Sequence, residues 1–236
     1  MRHDITAGTL FIDQSQYIKG ILSHFGMTDC TPVDIPLPAG VHFEPVTPED
    51  HTSISLYPYL EAISSLMYTA LGTHPDICSA IRALSPFAAT FRYAHIEGLK
   101  HIMKNLSATK NWGIMYMMGG EGLIGYTNTD WVNNCSNCHS ISGYAFLYSG
   151  GAVSWMSKQQ MTVADLSTHT KYIAAAEALK ELVWFWRLLT ELKEGVLGPT
   201  LLHIDNHAAE LLMQNPVNHS TMKHIDVWYH FILLIN

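Results

Sequence analysis

The sequence is short of charge, and of basic residues above all. Charged residues make up 14% of the 236 residues, and 13 Lys and Arg against 20 Asp and Glu give a formal net charge of -7. Nucleic-acid phosphates are bound mainly by Lys and Arg, so this balance gives no general reason to expect affinity for nucleic acid. Any such contact must be local or be supplied by another part of a longer protein.

Signals for export and for membrane insertion are also missing. The opening MRHDITAG lacks the apolar stretch of a secretory signal, and no run of 18 apolar residues follows it. The cysteines are too few and too scattered for a disulfide framework: Cys30, Cys78, Cys135 and Cys138. We therefore expect an intracellular chain, cytoplasmic or nuclear, with reduced thiols and no membrane span.

The first half of the sequence reads as mainly helical. A hydrophobic content of 48% is that of a chain with a real core. Prolines cluster between Pro32 and Pro48 and indicate a boundary near residues 36–55. Apolar residues then recur at spacings of three and four, which predicts helices over residues 57–116, with a new start at Pro75 and an interruption at Pro86.

From residue 119 the apolar pattern predicts strands as well as helices. Strands are expected at 123–126, 144–148 and 153–156, the last two joined by a hairpin turn at Ser149-Gly150-Gly151. A long helix follows, with an apolar stripe at Tyr172, Ala176, Leu179, Val183 and Trp186. A strand at 201–205, a helix at 207–214 and a last helix at 226–235 complete an α/β layer domain.

Several motifs, in order, resemble the Pol polyprotein of copia-type (Pseudoviridae) retrotransposons. YLEAISSLMYTALGTHPDI at residues 59–77 is similar to a family segment read YREAIGSLMYLA-x-TRPDI. GYTNTDW, SISGYAFLYSGGAVSWMSKQQMTVA, PTLLHIDNHAA and MKHIDVWYHFI resemble the landmarks of that family's ribonuclease H domain. The resemblance covers essentially the whole chain.

The resemblance implies a three-part organisation. Residues 1–46 look like the C-terminal remnant of a reverse transcriptase, residues 47–118 like a helical connection region, and residues 119–236 like a ribonuclease H-like domain, truncated at its C-terminus. The implied fold is a mixed sheet with flanking helices. The polymerase's catalytic strand lies upstream in the family, so we expect no RNA copying by this chain.

The family's activity is cleavage of RNA in RNA–DNA hybrids during reverse transcription, by two Mg²⁺ ions held on four carboxylates. The third and fourth ligand positions fall on Asp205 and Asp226. The first falls on Asn128, where the family has Asp, and the second on Lys171, where it has Glu. The resemblance thus implies two retained metal ligands and two degenerate positions.

The two substitutions remove the charge that the metals need. Asn is neutral, and a cation about 6 Å from Mg²⁺ costs on the order of 5 kcal/mol at an effective dielectric of about 20. The formal charge of the cluster falls from four negative to one negative. We expect Mg²⁺ binding to be lost and binding of an RNA–DNA hybrid to be weak or absent, so that the domain is catalytically degenerate.

Two alternative ligand sets and two alternative functions stay open at this point. Asp130 shares the strand face of Asn128, but lies roughly 6–7 Å further along it. His169 or Asp165 could contribute in place of Lys171, although neither shares its helix face. The whole chain could be an active ribonuclease H that uses Asp205 and Asp226, or a host-adopted binding module without catalysis.

Many departures from the family pattern share one chemical direction. Asp to Asn128, Glu to Lys171 and Arg to His74 each require a single C-to-T or G-to-A change. Selection for a new function has no reason to prefer one class of base change, whereas decay of a silenced repeat does. This bias indicates a decayed element.

Cys135-Ser136-Asn137-Cys138-His139 matches the attachment pattern of a c-type haem, CxxCH. Haem attachment requires an exported chain, and a zinc site needs a second pair of ligands. We therefore expect the purified chain to carry neither covalent haem nor stoichiometric zinc. A haem absorption band, or one zinc per chain by metal analysis, would contradict this prediction.

Overall fold

A computed structural model describes residues 1–45, 56–130, 140–160, 167–194 and 200–204. Contacts between Cα atoms divide the chain into two compact units, Met1–Met115 and Tyr116–Asn236. Among the helices described, none is long and apolar enough to cross a membrane.

In the described residues of the first unit, 1–45 and 56–115, a small sheet is combined with four α-helices. The three-stranded sheet has the order β1-β2-β3, and β1 is antiparallel to β2. The elements are β1 (Arg2–Asp4), β2 (Thr9–Asp13), α1 (Ser15–His24), α2 (Tyr59–Gly72), α3 (Cys78–Leu84), α4 (Tyr93–Thr109) and β3 (Gly113–Met117), with 3-10 turns at Pro75–Ile77 and Ser85–Phe87.

The helices of this unit enclose a continuous apolar core. Leu66, Ile81 and Leu99 come from three different helices, and each is fully buried. Tyr59 lies in the same core, where its hydroxyl donates to the Leu84 carbonyl at 2.9 Å. Burial raises the pKa of Tyr59 well above its ordinary value. The helices predicted from the apolar spacing are thus confirmed, as are the breaks at both prolines.

The helical prediction is wrong at the end of its range, where residues 113–117 form β3. A Cβ at Gly113 would lie 2.2 Å from the Ile12 carbonyl oxygen of β2. Glycine therefore permits the close approach of the two strands. Tertiary pairing overrides the local apolar run here, because Ile114 is buried and Met115 is exposed, as strand alternation requires.

The second unit is built on a four-stranded mixed sheet. Its order is β6-β5-β4-β7, formed by β4 (Ile124–Asp130), β5 (Ile141–Tyr148), β6 (Gly151–Gln159) and β7 (Leu201–Ile204). β4 pairs antiparallel with β5 and parallel with β7. The predicted α/β class is confirmed, and the three antiparallel strands run longer than predicted.

The predicted hairpin between β5 and β6 is confirmed. Ser149 and Gly150 both have positive φ, at 52° and 81°. Two consecutive residues with positive φ define a tight hairpin turn, and the twist of this turn matches the twist of the paired strands.

The long predicted helix is α5 (Ser167–Glu191), which packs on the sheet. Its buried edge holds Ala175, Ala178, Leu182, Phe185 and Leu189. Of the predicted stripe, Ala176 is fully buried, whereas Leu179, Val183 and Trp186 are only half-buried, so the buried edge is displaced from the predicted one along the second half of the helix. The helix turns its alanines and Phe185 to the sheet, and the Trp186 indole donates to Thr200 Oγ1 at 2.9 Å.

Two glycines of the first unit provide a matched pair for a stability test. Gly20 lies inside α1, and nothing approaches the position of its Cβ within 4 Å. We expect Gly20→Ala to stabilise the chain by about 0.5–1 kcal/mol, because alanine restricts the unfolded chain and favours helix. Gly113→Ala should instead destabilise it, since the new methyl group meets the Ile12 carbonyl.

Urea denaturation of the full chain would measure both changes. An equal effect of the two substitutions would contradict the close packing of β3 on β2.

Candidate active site

The first candidate ligand position lies on the face of the sheet opposite α5. Along β4, Thr127 and Thr129 are buried, whereas Tyr126 and Asn128 are exposed. The Cα partner of Asn128 is Gly143 on β5. The side chain of Asn128 therefore projects from an open sheet surface near the carboxyl end of β4.

Asn128 presents a neutral amide there. Its Oδ1 accepts the backbone N–H of Thr129 at 2.6 Å. Oδ1 is the single oxygen of the Asn128 side chain. One of its lone pairs is thus already used by a hydrogen bond within the strand.

A shallow cavity of about 470 Å³ surrounds this residue. Two small residues of β5, Gly143 and Ala145, line it between the neighbouring strands. The rings of Tyr126 and His203 also line it, stacked at a centroid distance of 4.8 Å and an angle of 16°. Sequence reasoning did not find this ring pair, because it depends on the parallel register of β4 and β7.

The second candidate position, Lys171, lies just after the first turn of α5 and is half-buried. The carbonyl of the preceding Thr170 accepts a hydrogen bond from the side chain of Gln160, at 2.9 Å. Gln160 also contacts Ser142, the Cα partner of Thr129. These contacts place the start of α5 at the end of the sheet where β4 finishes, which is also where Asn128 lies.

The two retained carboxylates, Asp205 and Asp226, lie outside the described residues, as do Asp165 and the Cys135–His139 run. Asp130 is the last residue of β4, two residues beyond Asn128 as the strand period requires. Among the residues that are described, no group of three His, Cys, Asp or Glu side chains could hold a metal ion. The two-carboxylate site thus stays a prediction.

The carboxylate of α5 that touches the sheet is engaged elsewhere. Glu181 accepts the hydroxyl of Ser154 on β6 at 2.8 Å. Burial, and next the negative charge of Glu181, raise the pKa of Tyr144 above its ordinary value. This pair belongs to the packing of α5 on β5 and β6, so it supplies no ligand at the edge where Asn128 lies.

The described residues do not fit a pair of Mg²⁺ ions. Mg²⁺ takes oxygen ligands and is bound through carboxylates. Of the two candidate positions, Asn128 supplies a neutral amide that is already hydrogen-bonded, and Lys171 supplies an amine. Neither side chain can neutralise a divalent cation.

Comparison with known proteins gives strong matches to transposon polyproteins. The chain is 37% identical over 237 residues to the retrovirus-related Pol polyprotein from transposon TNT 1-94 of Nicotiana tabacum. The aligned region covers 96% of this chain and 17% of that protein. It is 34% identical over 224 residues to the retrovirus-related Pol polyprotein from transposon RE1 of Arabidopsis thaliana, with coverages of 94% and 15%.

A shorter relative is the secreted RxLR effector protein 161 of Plasmopara viticola. It is 40% identical over 128 residues, which are 54% of this chain and 90% of that protein. No family model matches the chain, and no solved structure matches it.

Two layers, a mixed sheet and a long helix, place this chain in the α/β class. The sequence matches go further: the chain belongs to the family of Pol polyproteins of copia-type retrotransposons. It spans less than a fifth of the length of these Pol relatives, at 17% and 15%.

Proposed function

We propose that this chain carries a retrotransposon-derived ribonuclease H-like domain whose catalytic site is degenerate. The proposal is supported by Asn128 near the end of β4 and by the link from β5 to the start of α5, next to Lys171, that Gln160 makes through Ser142 and Thr170. In the resembling family these positions hold the first two of four carboxylates.

The mixed sheet is consistent with this assignment. A parallel strand, β7, lies beside β4, and Ile204 is the Cα partner of Thr127. Asp205 is the next residue in the sequence after Ile204. Under the proposal it lies beside Asn128, where it would serve as the third carboxylate.

The charge count explains why we propose loss of activity. With Asn128 neutral and Lys171 positive, the four positions carry one net negative charge. Two Mg²⁺ ions bring four positive charges, and their mutual repulsion at roughly 3.5–4 Å is left without compensation. The cation at position 171 does more damage than the amide, because it adds repulsion as well as removing attraction.

A second candidate is a non-catalytic binding module. The observation that favours it is the match to an effector protein of which the chain covers 90%, because a region of this kind also occurs in a short protein. The net charge of -7 disfavours an RNA–DNA hybrid as its ligand. Fluorescence anisotropy with a labelled hybrid, followed over a salt series, would test this point.

We expect the purified chain to cleave no RNA–DNA hybrid with either Mg²⁺ or Mn²⁺. Asn128→Asp alone should restore little, because Lys171 still repels the metals. Lys171→Glu alone should recover some metal binding, since it changes the local charge by two units. The chain that carries both reversions should bind more metal than either single variant. Cleavage is measured on a labelled hybrid, and Mn²⁺ binding by the loss of the free-ion spin-resonance signal.

Lys180→Glu provides the matched control, because Lys180 lies on α5 and pairs with Glu177 at 3.2 Å, away from the first turn. It changes the net charge of the chain as much as Lys171→Glu does and should gain no metal. Hybrid cleavage by the unmodified chain, abolished by Asp205→Asn, would show that two carboxylates suffice. That result would establish the alternative of an active ribonuclease H.

A further inference from the structure

Gln160 occupies a buried position between the end of β6 and the start of α5. It follows Gln159, the last residue of β6, and only 6% of its surface is exposed. Its backbone N–H donates to the Ser140 carbonyl at 2.8 Å. The backbone of Gln160 is therefore fixed to the residue that immediately precedes β5.

The side-chain amide of Gln160 joins two elements of the unit. Its Nε2 donates to Ser142 Oγ at 2.8 Å and to the Thr170 carbonyl at 2.9 Å. A primary amide has two N–H donors, and both are used here. One side chain thus holds a residue of β5 and the first turn of α5 together.

Apolar packing alone fixes this end of α5 poorly. Among the residues of the N-terminal half of the helix whose burial is described, the buried apolar ones are alanines: Ala174, Ala175, Ala176 and Ala178. Alanine methyl groups form shallow ridges, whereas Leu182, Phe185 and Leu189 interlock with the sheet further along. Hydrogen bonds depend on angle as well as distance, so those of Gln160 can set the position of the first turn.

The buried polar cluster also carries a cost. Within the described part of the chain, Gln160 Oε1 and Thr129 Oγ1 are buried without a hydrogen-bond partner. Unsatisfied buried polar atoms destabilise a fold, and an apolar side chain would avoid the cost at Gln160. An amide at this position is therefore better explained by the geometry that it sets than by stability.

We propose that Gln160 is a positioning residue that holds residue 171, through Thr170, at the edge of the sheet where residue 128 lies. The path is short: Asn128 precedes Thr129, whose Cα partner Ser142 accepts from Gln160. The assignment of residues 128 and 171 as former metal-ligand positions rests on the proposed function. The positioning itself rests on the hydrogen bonds.

Hydrogen exchange of the full chain tests the positioning without reference to metal. Gln160→Met removes both donors and keeps a similar volume. We expect amides of residues 170–176 to exchange roughly tenfold faster, with those of residues 183–189 unchanged, because the loosening is local. Gln159→Met, at the half-buried neighbouring residue, is the control and should change neither. Unchanged exchange at 170–176 in Gln160→Met would overturn the proposal.

Mn²⁺ binding by the Asn128→Asp, Lys171→Glu chain tests the consequence for the site. Adding Gln160→Met should weaken binding roughly tenfold, while Gln159→Met should leave it within twofold. Equal Mn²⁺ affinity with and without Gln160→Met would overturn the positioning role. If the double reversion binds no Mn²⁺ at all, the assignment of positions 128 and 171 fails, and the exchange result alone decides on Gln160.

Discussion

The second unit depends on the contact between Phe146 and Gly125 in the middle of its sheet. Phe146 is fully buried, and a Cβ on Gly125 would lie 2.6 Å from its ring. The ring therefore lies over the glycine and meets Phe185 of α5 at a centroid distance of 5.8 Å. This contact sets how closely α5 approaches β4 and β5. The start of the helix is held separately, by the hydrogen bonds of Gln160 to Ser142 and to the Thr170 carbonyl.

Packing and site chemistry lie on opposite faces of β4. Thr127 and Thr129 face α5, whereas Asn128 projects from the open surface. Replacement of Asp by Asn at this position keeps the size of the side chain and removes a charge from the open surface. It therefore leaves the buried face intact. Lys171 is half-buried just after the first turn, outside the fully buried edge of α5. The interactions that hold the unit together are thus separate from those that a metal site needs.

Prediction from sequence succeeded where the local signal and the tertiary structure agree. Ser149-Gly150 encodes its turn through backbone conformation, and α5 shows helical spacing over many residues. The prediction failed where pairing decides: β3 follows α4 closely, and only its approach to β2 makes it a strand. The buried edge of α5 was misplaced because alanines weigh little in an apolar pattern. Gln160 was missed since a glutamine after Lys158 and Gln159 resembles a surface residue.

The separation of the two faces explains how a fold can outlast its chemistry. Loss of the Phe146 contact would open the core, and mutations there are removed from any chain that must fold. A change at residue 128 or 171 leaves the contacts between Phe146, Gly125 and Phe185 in place. Under the proposed function, base changes that accumulate without selection for catalysis are therefore tolerated first at positions 128 and 171. Gln160 is intermediate, since it is buried like the core but serves the edge, and its amide should be lost after the carboxylates and before the aromatic contact.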